Sequence, residues 1–452
     1  MNSSITFSGG AGTVTGANFL LTTPDTKVLV DCGARERERA CDSANTEPFP
    51  YDVRAIEALF VTHAHQDHIG RIPRLVREGF RGRIRSTKAT RDIAAVMLED
   101  ALAVMTSEVE RHGCDPLFEE KDVARALSLW DGHEYHEPIP CRGMEAVFLD
   151  AGHILGSAMV RFVRNGRHAL FTGDLGNAPE PLLMPTESPV GAHFVVIESV
   201  YGDRVHEGRE ERREILRSAV EEARTRKGVL LIPSFSLERT QVLLYELNDM
   251  IESGEMKPIP LYLDSPLAIR ITGLFRTHAR LMNETARLHF ERGDDPFSFP
   301  GLRVVKDTRE SHAIHREPDP KIIIAGAGMS GGGRIRAHEK AYLGNKRATV
   351  LFAGYQAPGT LGRRLEEGEK RVLIDGAPIR VRARFTKLTG YSGHADRDAL
   401  LSFIEKAAPS LKRVFVTMGE PKASLFLAQR ARDFLGVDAI APGLGETHEI
   451  DF

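Results

Sequence analysis

Between residues 228 and 368 one unit recurs four times: an apolar run, a polar or glycine-rich loop, then a helical stretch. The four copies are "GVLLIPSFSLERTQVLLYELNDMI", "IPLYLDSPLAIRITGLFRTH", "KIIIAGAGMSGGGRIRAHEKAYL" and "ATVLFAGYQAPGTLGRRLEEG". Continuous apolar strands alternating with helices must bury both faces, which calls for a parallel sheet covered on each side. In such sheets the loops after the strand C-termini line the ligand crevice. Here those loops carry Ser234, Asp264, Ser265, the run from Gly326 to Gly333, and Tyr355. "GAGMSGGGR" has the form of a phosphate-cradling loop before a helix N-terminus, and equally that of a tight packing turn. Ser234 of the first loop and Ser330 and Gly331 of this one are candidate substrate contacts.

The flanking segments have another texture. Short β-like runs alternate with glycine-rich turns in "ITFSGGAGTVTGANFLLTT", "KVLVDCG" and "ALFVTHAH". A helical pattern covers 90–113, and strands return over 144–153, 158–176 and 192–202, the middle one folded into a hairpin around Asn165-Gly166. The same β/α texture with histidine resumes near residue 376. The expected organisation is therefore a first domain in two parts, 1–204 and 376–452, with an α/β domain at 205–375 inserted between them. A chain of 452 residues is in any case too long for one core.

"FVTHAHQDHIG" packs His63, His65, Asp67 and His68 into six positions behind an apolar run. Imidazole nitrogen and carboxylate oxygen are zinc ligands, and four of them in one turn make half of a metal site. Two further candidates end apolar runs beside glycines, His153 in "FLDAGHILGSA" and Asp174 in "LFTGDLGN".

With these motifs the sequence resembles the metallo-β-lactamase fold superfamily, an αββα sandwich. The resemblance implies one zinc on His63, His65 and His153, a second on Asp67 and His68, and Asp174 bridging the pair. Asp31, ending "VLVDCG", matches the superfamily's first motif, where an aspartate orients the metal ligands. Glu198 in "VIESVYGD", His394 in "GYSGHAD", and the strings "DSPLA" and "GYQAPGTLGRRL" are similar to the β-CASP branch, which contains RNA-processing nucleases. That likeness covers essentially the whole chain and implies a zinc-dependent ribonuclease acting on single-stranded RNA. Asp67, Glu198 and His394 are then the catalytic candidates, with His394 as general acid oriented by Glu198. Two zincs roughly 3.5–4 Å apart would activate a water and clamp the phosphoryl charge.

The chain departs from the family at one place. Where the branch has a further histidine on the second zinc, "VFVTMGEP" has Met418, and thioether is a poor zinc ligand. This leaves two other readings open: an RNA-binding subunit with weak catalysis, or a metallohydrolase acting on DNA or a small molecule.

Net charge is −3, so a polyanion partner is not announced globally. Locally, Arg71, Arg74, Arg77, Arg81, Arg83 and Arg85 crowd one stretch, and Arg380, Arg382 and Arg384 recur at period two. On one strand those three would share a face, either as a solvated edge or as a phosphate footprint. No run reaches the roughly 18 apolar residues that span a membrane. The four scattered cysteines read as reduced thiols and the N-terminus lacks a signal pattern, so a cytoplasmic protein is expected, with a homodimer left open.

Overall fold

The computed structural model describes residues 3–35, 43–357, 359–388 and 390–452. Two compact units emerge. The first comprises residues 1–180, 184–205 and 394–452, and the second 181–183 and 206–393.

The first unit is built on two seven-stranded sheets. One runs in the order Thr447–Ile450, Ser3–Gly9, Asn18–Thr22, Lys27–Val30, Ala58–Phe60, Arg83–Thr87, Trp130–His133. The other runs Ala439–Ile440, Arg413–Val416, Phe194–Ile197, Arg167–Phe171, Ala158–Arg164, Met144–Asp150, Ile139–Cys141. Strand Ser3–Gly9 alternates buried and half-buried residues, the period-two signature of a sheet with one face in the core. Between the sheets, Phe7, Phe19, Phe60, Phe148, Phe162, Phe171 and Phe415 form one cluster. Phe60 meets Phe162 edge-on at 4.9 Å, a favoured aromatic geometry. Each such ring, fully buried, contributes roughly 1.5–3 kcal/mol through removal from water. The outer face of the second sheet packs Leu170, Val195 and Val414 against Leu400, Phe403, Leu427 and Ala431, which lie on helices Arg397–Ala407 and Pro421–Leu435. This is the expected αββα sandwich.

Local signals behave as their chemistry requires. Asn165 and Gly166 both take positive φ (50° and 73°), so the two strands they join turn back in register. The long helix Lys88–His112 is capped by the Thr87 side chain, which accepts from the Thr90 amide, and is closed by left-handed Gly113.

The second unit holds a six-stranded sheet, parallel throughout, in the order Leu302–Val304, Leu261–Asp264, Lys321–Ala325, Val229–Pro233, Thr349–Phe352, Arg384–Lys387. Its last strand corrects two expectations. Residues 376–393 belong with the inserted unit, because Arg384–Lys387 pairs with Thr349–Phe352. Nor do Arg380, Arg382 and Arg384 share one strand face. Arg380 ends a small hairpin, Arg371–Ile374 with Ala377–Arg380, and the chain then leaves extended pairing as Arg382 and Ala383 donate to the Leu343 carbonyl.

Cys32 and Cys141 are free and buried, as expected, whereas Cys114 is disulfide-bonded and Cys41 lies outside the described residues. Among the described residues no helix is long and apolar enough to cross a membrane.

Candidate metal centre

Every ligand predicted for the site comes from the C-terminal end of a strand in the first unit. Strand Ala58–Phe60 runs into Val61-Thr62 and delivers His63 and His65, and the short helix Gln66–Ile69 supplies Asp67 and His68. The loop around Gly33 passes so close that a Cβ there would lie 1.5 Å from the Asp67 carbonyl oxygen, which only glycine permits. His153 follows Met144–Asp150 in a turn pinned by Ser157, whose Oγ accepts from the His153 and Ile154 amides. Asp174 follows Arg167–Phe171, Glu198 follows Phe194–Ile197, and His394 bridges to Gly176.

The six side chains converge. His63 Nε2 lies 3.0 Å from His65 Nδ1, and His153 Nε2 lies 3.2 Å from the same atom. Asp174 Oδ2 is 3.4 Å from His63 Nε2 and 3.5 Å from His153 Nε2. A tetrahedron of ligands about 2.0–2.1 Å from zinc has edges of about 3.3–3.4 Å, so these separations suit a zinc ion. Beside it, Asp174 Oδ1 faces His68 Nε2 at 3.4 Å, with Asp67 Oδ2 at 3.8 Å from that nitrogen. Both His68 Nε2 and Asp174 Oδ1 are buried without a hydrogen-bond partner. Unpaired buried polar atoms are costly, and two facing each other suit a cation.

In the first group the electrostatics suit a metal, whereas in the second, against burial, Asp174 and Asp31 push His68 well above its ordinary range, so a cation there displaces a proton. Burial, then the neighbouring His68, holds His63 well below its ordinary range, and burial with His153 does the same for His65. Neutral imidazole is the form that binds metal. Burial pushes Asp67 up to about 6. Against burial, His68 and His63 hold Asp174 well below the usual carboxylate range.

Asp31 lies beneath Thr62 and His68. It is fully buried at φ 60° and its Oδ1 accepts from the Thr62 amide at 2.8 Å. Its Oδ2 accepts from Thr62 Oγ1 at 2.8 Å and from His68 Nδ1 at 2.7 Å. That bond holds the His68 proton on Nδ1 and leaves Nε2 facing the acids. Thr62 is a residue the sequence reading missed; its only signal is its place directly before the H-x-H motif.

His394 stands at the open side of the site, its side chain 24% exposed, with Nδ1 3.2 Å from Glu198 Oε1. Glu198 is buried and accepts the Leu175 amide at 2.7 Å through the same oxygen. Against burial, the Glu198 and Asp174 carboxylates push His394 up to about 9.

Met418 turns its side chain to the core. It is 2% exposed at φ 45°, clustered with Ala11, Phe19 and Phe415, its sulfur against Gly10. Its thioether serves the sandwich core, and Asp67, His68 and Asp174 form the second group whose atoms lie close enough together to hold an ion.

The remaining candidates lie in the second unit. Ser234 is buried and accepts from Thr240 Oγ1 at 3.0 Å. Ser330 is buried and donates to Glu339, so neither hydroxyl presents to solvent. Gly331 is exposed, as are Arg380 and Arg382, while Arg384 pairs with Glu222 at 2.6 Å. The first arginine cluster is largely spent on local partners. Arg74 pairs with Glu78, Arg77 with Glu119 and Arg83 with Asp131, and Arg85 donates to the Pro140 carbonyl.

A two-sheet sandwich with histidine and aspartate converging at one end of its strands defines a metal-dependent hydrolase of the metallo-β-lactamase fold. Residues 240–365 match the Beta-Casp domain, and 378–442 match the Zn-dependent metallo-hydrolase RNA specificity domain. Residues 6–190 match the anti-Pycsar protein Apyc1. The chain is 37% identical to Ribonuclease TTHA0252 of Thermus thermophilus, over 93% of this chain and 94% of that one. It is 30% identical to the transcription termination factor FttA of Methanosarcina mazei, over 97% of this chain and 70% of the other. A crystal structure of a protein of unknown function from Enterococcus faecalis shares the fold, with a TM-score of 0.56 at 12% identity over the full length of both chains. The chain belongs to the β-CASP family.

Proposed function

We propose that this protein is a zinc-dependent ribonuclease that hydrolyses phosphodiester bonds of single-stranded RNA. The observation that carries the reading is the convergence of three imidazole nitrogens and a carboxylate oxygen at 3.0–3.5 Å, beside two facing orphan atoms. Kinship with a named ribonuclease over 93% of the chain supports RNA as substrate. His63, His65, His153 and Asp174 would hold one zinc, and Asp67, His68 and Asp174 a second. Bound there, the metals would supply an activated water and charge stabilisation at the phosphoryl group.

The chain's own residues do the rest. Asp31 and Thr62 orient His68 before any ion arrives. Glu198 fixes the His394 ring through Nδ1, and the proton for the leaving ribose oxygen comes from this imidazole, kept charged by the acids around it. Burial of His63, His153 and Asp174 excludes water from one side, and the half-exposed His65, Asp67 and His394 form the open face. The second group has three protein ligands and no histidine from position 418, so we assign it the weaker affinity. An RNA substrate favours the cytoplasm as its compartment.

The deciding measurement is bound zinc per chain together with cleavage of an RNA and a DNA oligonucleotide of one sequence. RNA cleavage with zinc bound is expected. His65→Ala and Asp174→Asn should abolish cleavage and lower bound zinc; unchanged zinc in both would remove the basis of the reading.

A further inference from the structure

Helix Pro421–Leu435 carries a stripe that the metal centre does not use. Lys422, Phe426, Arg430 and Phe434 follow one another at intervals of four, so cation and aromatic ring alternate along a slowly winding line on one face. Lys422 is 86% exposed, its ammonium 3.7 Å from the Asp203 carboxylate, and Phe434 is 68% exposed, while Phe426 and Arg430 are half-buried. The Arg430 guanidinium lies between the rings, 5.3 Å from the centroid of Phe426 and 4.8 Å from that of Phe434. Most arginines described above meet a carboxylate, but among the described residues none lies within ion-pair distance of Arg430. The adjoining face packs Leu427, Ala428 and Ala431 into the sandwich, which anchors the helix under the stripe.

We propose that this stripe binds single-stranded RNA next to the metal centre, bases stacking on Phe426 and Phe434 and phosphates meeting Arg430 and Lys422. A base has a π-face whatever its identity, and rings interleaved with cations suit a single strand without sequence preference. The helix is placed for it. It begins just after Gly419, where an added Cβ would lie 2.2 Å from Ser199 Oγ, and Ser199 adjoins Glu198, which holds His394. From Pro421 to Phe434 the axis rises about 20 Å, long enough to carry several nucleotides. The inference rests on the ribonuclease reading for its substrate and goes beyond it in naming where uncut RNA lies.

The test compares kcat/KM on single-stranded RNAs of about 16 and about 4 nucleotides, the limits of usual single-strand site sizes. Phe434→Ala and Arg430→Gln should each lower the value for the long RNA by about 5- to 100-fold, mainly through KM, and spare the short one. Leu373→Ala, removing an exposed leucine in the other unit, is the control and should change neither. In Phe434→Trp the only other tryptophan is the buried Trp130, so stopped-flow quenching by RNA reads stacking directly. Equal losses on both lengths, or no quenching, would overturn the proposal. So would a change of sedimentation from dimer to monomer in Phe434→Ala with RNA kinetics intact, which would assign the stripe to a second copy of this chain. If the unaltered protein cuts neither RNA, the ribonuclease reading fails, and quenching still decides the stripe.

Discussion

Asp31→Asn isolates the support of the second metal group from its ligands. The substitution keeps the size of the side chain and replaces one carboxylate oxygen by an amide nitrogen. Asp31 accepts three bonds, at 2.8 Å from the Thr62 amide, 2.8 Å from Thr62 Oγ1 and 2.7 Å from His68 Nδ1. The amide oxygen of Asn can keep the backbone bond, but its NH₂ then faces Thr62 Oγ1 and His68 Nδ1. Thr62 can rotate to accept. His68 can accept at Nδ1 only by moving its proton to Nε2, the nitrogen that faces Asp174 and Asp67. Losing such a supporting partner costs about 10–100-fold in metal affinity, or roughly 1.4–2.7 kcal/mol. Zinc titration against a chromophoric chelator at neutral pH should therefore show one class of site weakened by that factor, the His63–His65–His153 class unchanged, and cleavage restored by added zinc. Circular dichroism controls for folding. Equal affinity at both sites in the variant and the parent would refute the tautomer reasoning.

Other perturbations test other parts. His394→Ala should slow turnover by about 10²–10⁴ while leaving zinc content intact, and a loss of zinc would make His394 a ligand instead. The triple Arg380→Ala, Arg382→Ala, Arg384→Ala variant should flatten the log–log salt dependence of RNA binding by about 1.4, since Arg384 is already committed to Glu222 and each remaining phosphate contact adds about 0.7. An unaltered slope would make these arginines a solvated edge. Burial pushes Glu339 up to about 7 from 4.5, so the folded chain holds its proton where the unfolded chain has lost it. That stability is complete below about pH 4.5 and fades as pH rises through 7, by up to roughly 3 kcal/mol. Denaturant melts of Glu339→Gln should lack this decline, and a profile parallel to the parent's would contradict the assignment.

What the sequence reveals depends on how local the cause is. The H-x-H-x-D-H turn, the Asn165-Gly166 hairpin and the four strand–loop–helix units are set by neighbours in the chain, and each forms where its residues say. The meeting of His153 and Asp174 is also legible, because a side chain at a strand end beside glycine needs only its own strand to be aimed. The arginine stripe at 380–384 fails for the opposite reason. Period two is necessary for a strand face but not sufficient, and the break at Val381–Ala383 comes from bonds to Leu343 and Lys370, which no local pattern encodes. The same long-range pairing, Arg384–Lys387 on Thr349–Phe352, moves the domain boundary. Ser330 misleads because a polar residue in a glycine loop reads as ligand-facing, yet its hydroxyl is taken by a glutamate nine residues on.

Asp31 and Met418 show how a site can keep its backbone while its chemistry changes. Both end β-runs beside the metal centre with left-handed backbones, φ 60° and 45°, which non-glycine residues adopt at a cost of order 1–3 kcal/mol each. At Asp31 the strain is offset by three bonds that set the ligand geometry. At Met418 the same kind of strain persists, with the backbone amide bonded to the Gly10 carbonyl at 2.6 Å and the side chain turned to core packing. A methionine has no intrinsic need for that conformation. The strand end is shaped to present a side chain, and the side chain present here is apolar. The unequal pair of zinc affinities proposed for this protein follows from the apolar side chain at 418, with Asp67, His68 and Asp174 left to hold the second ion.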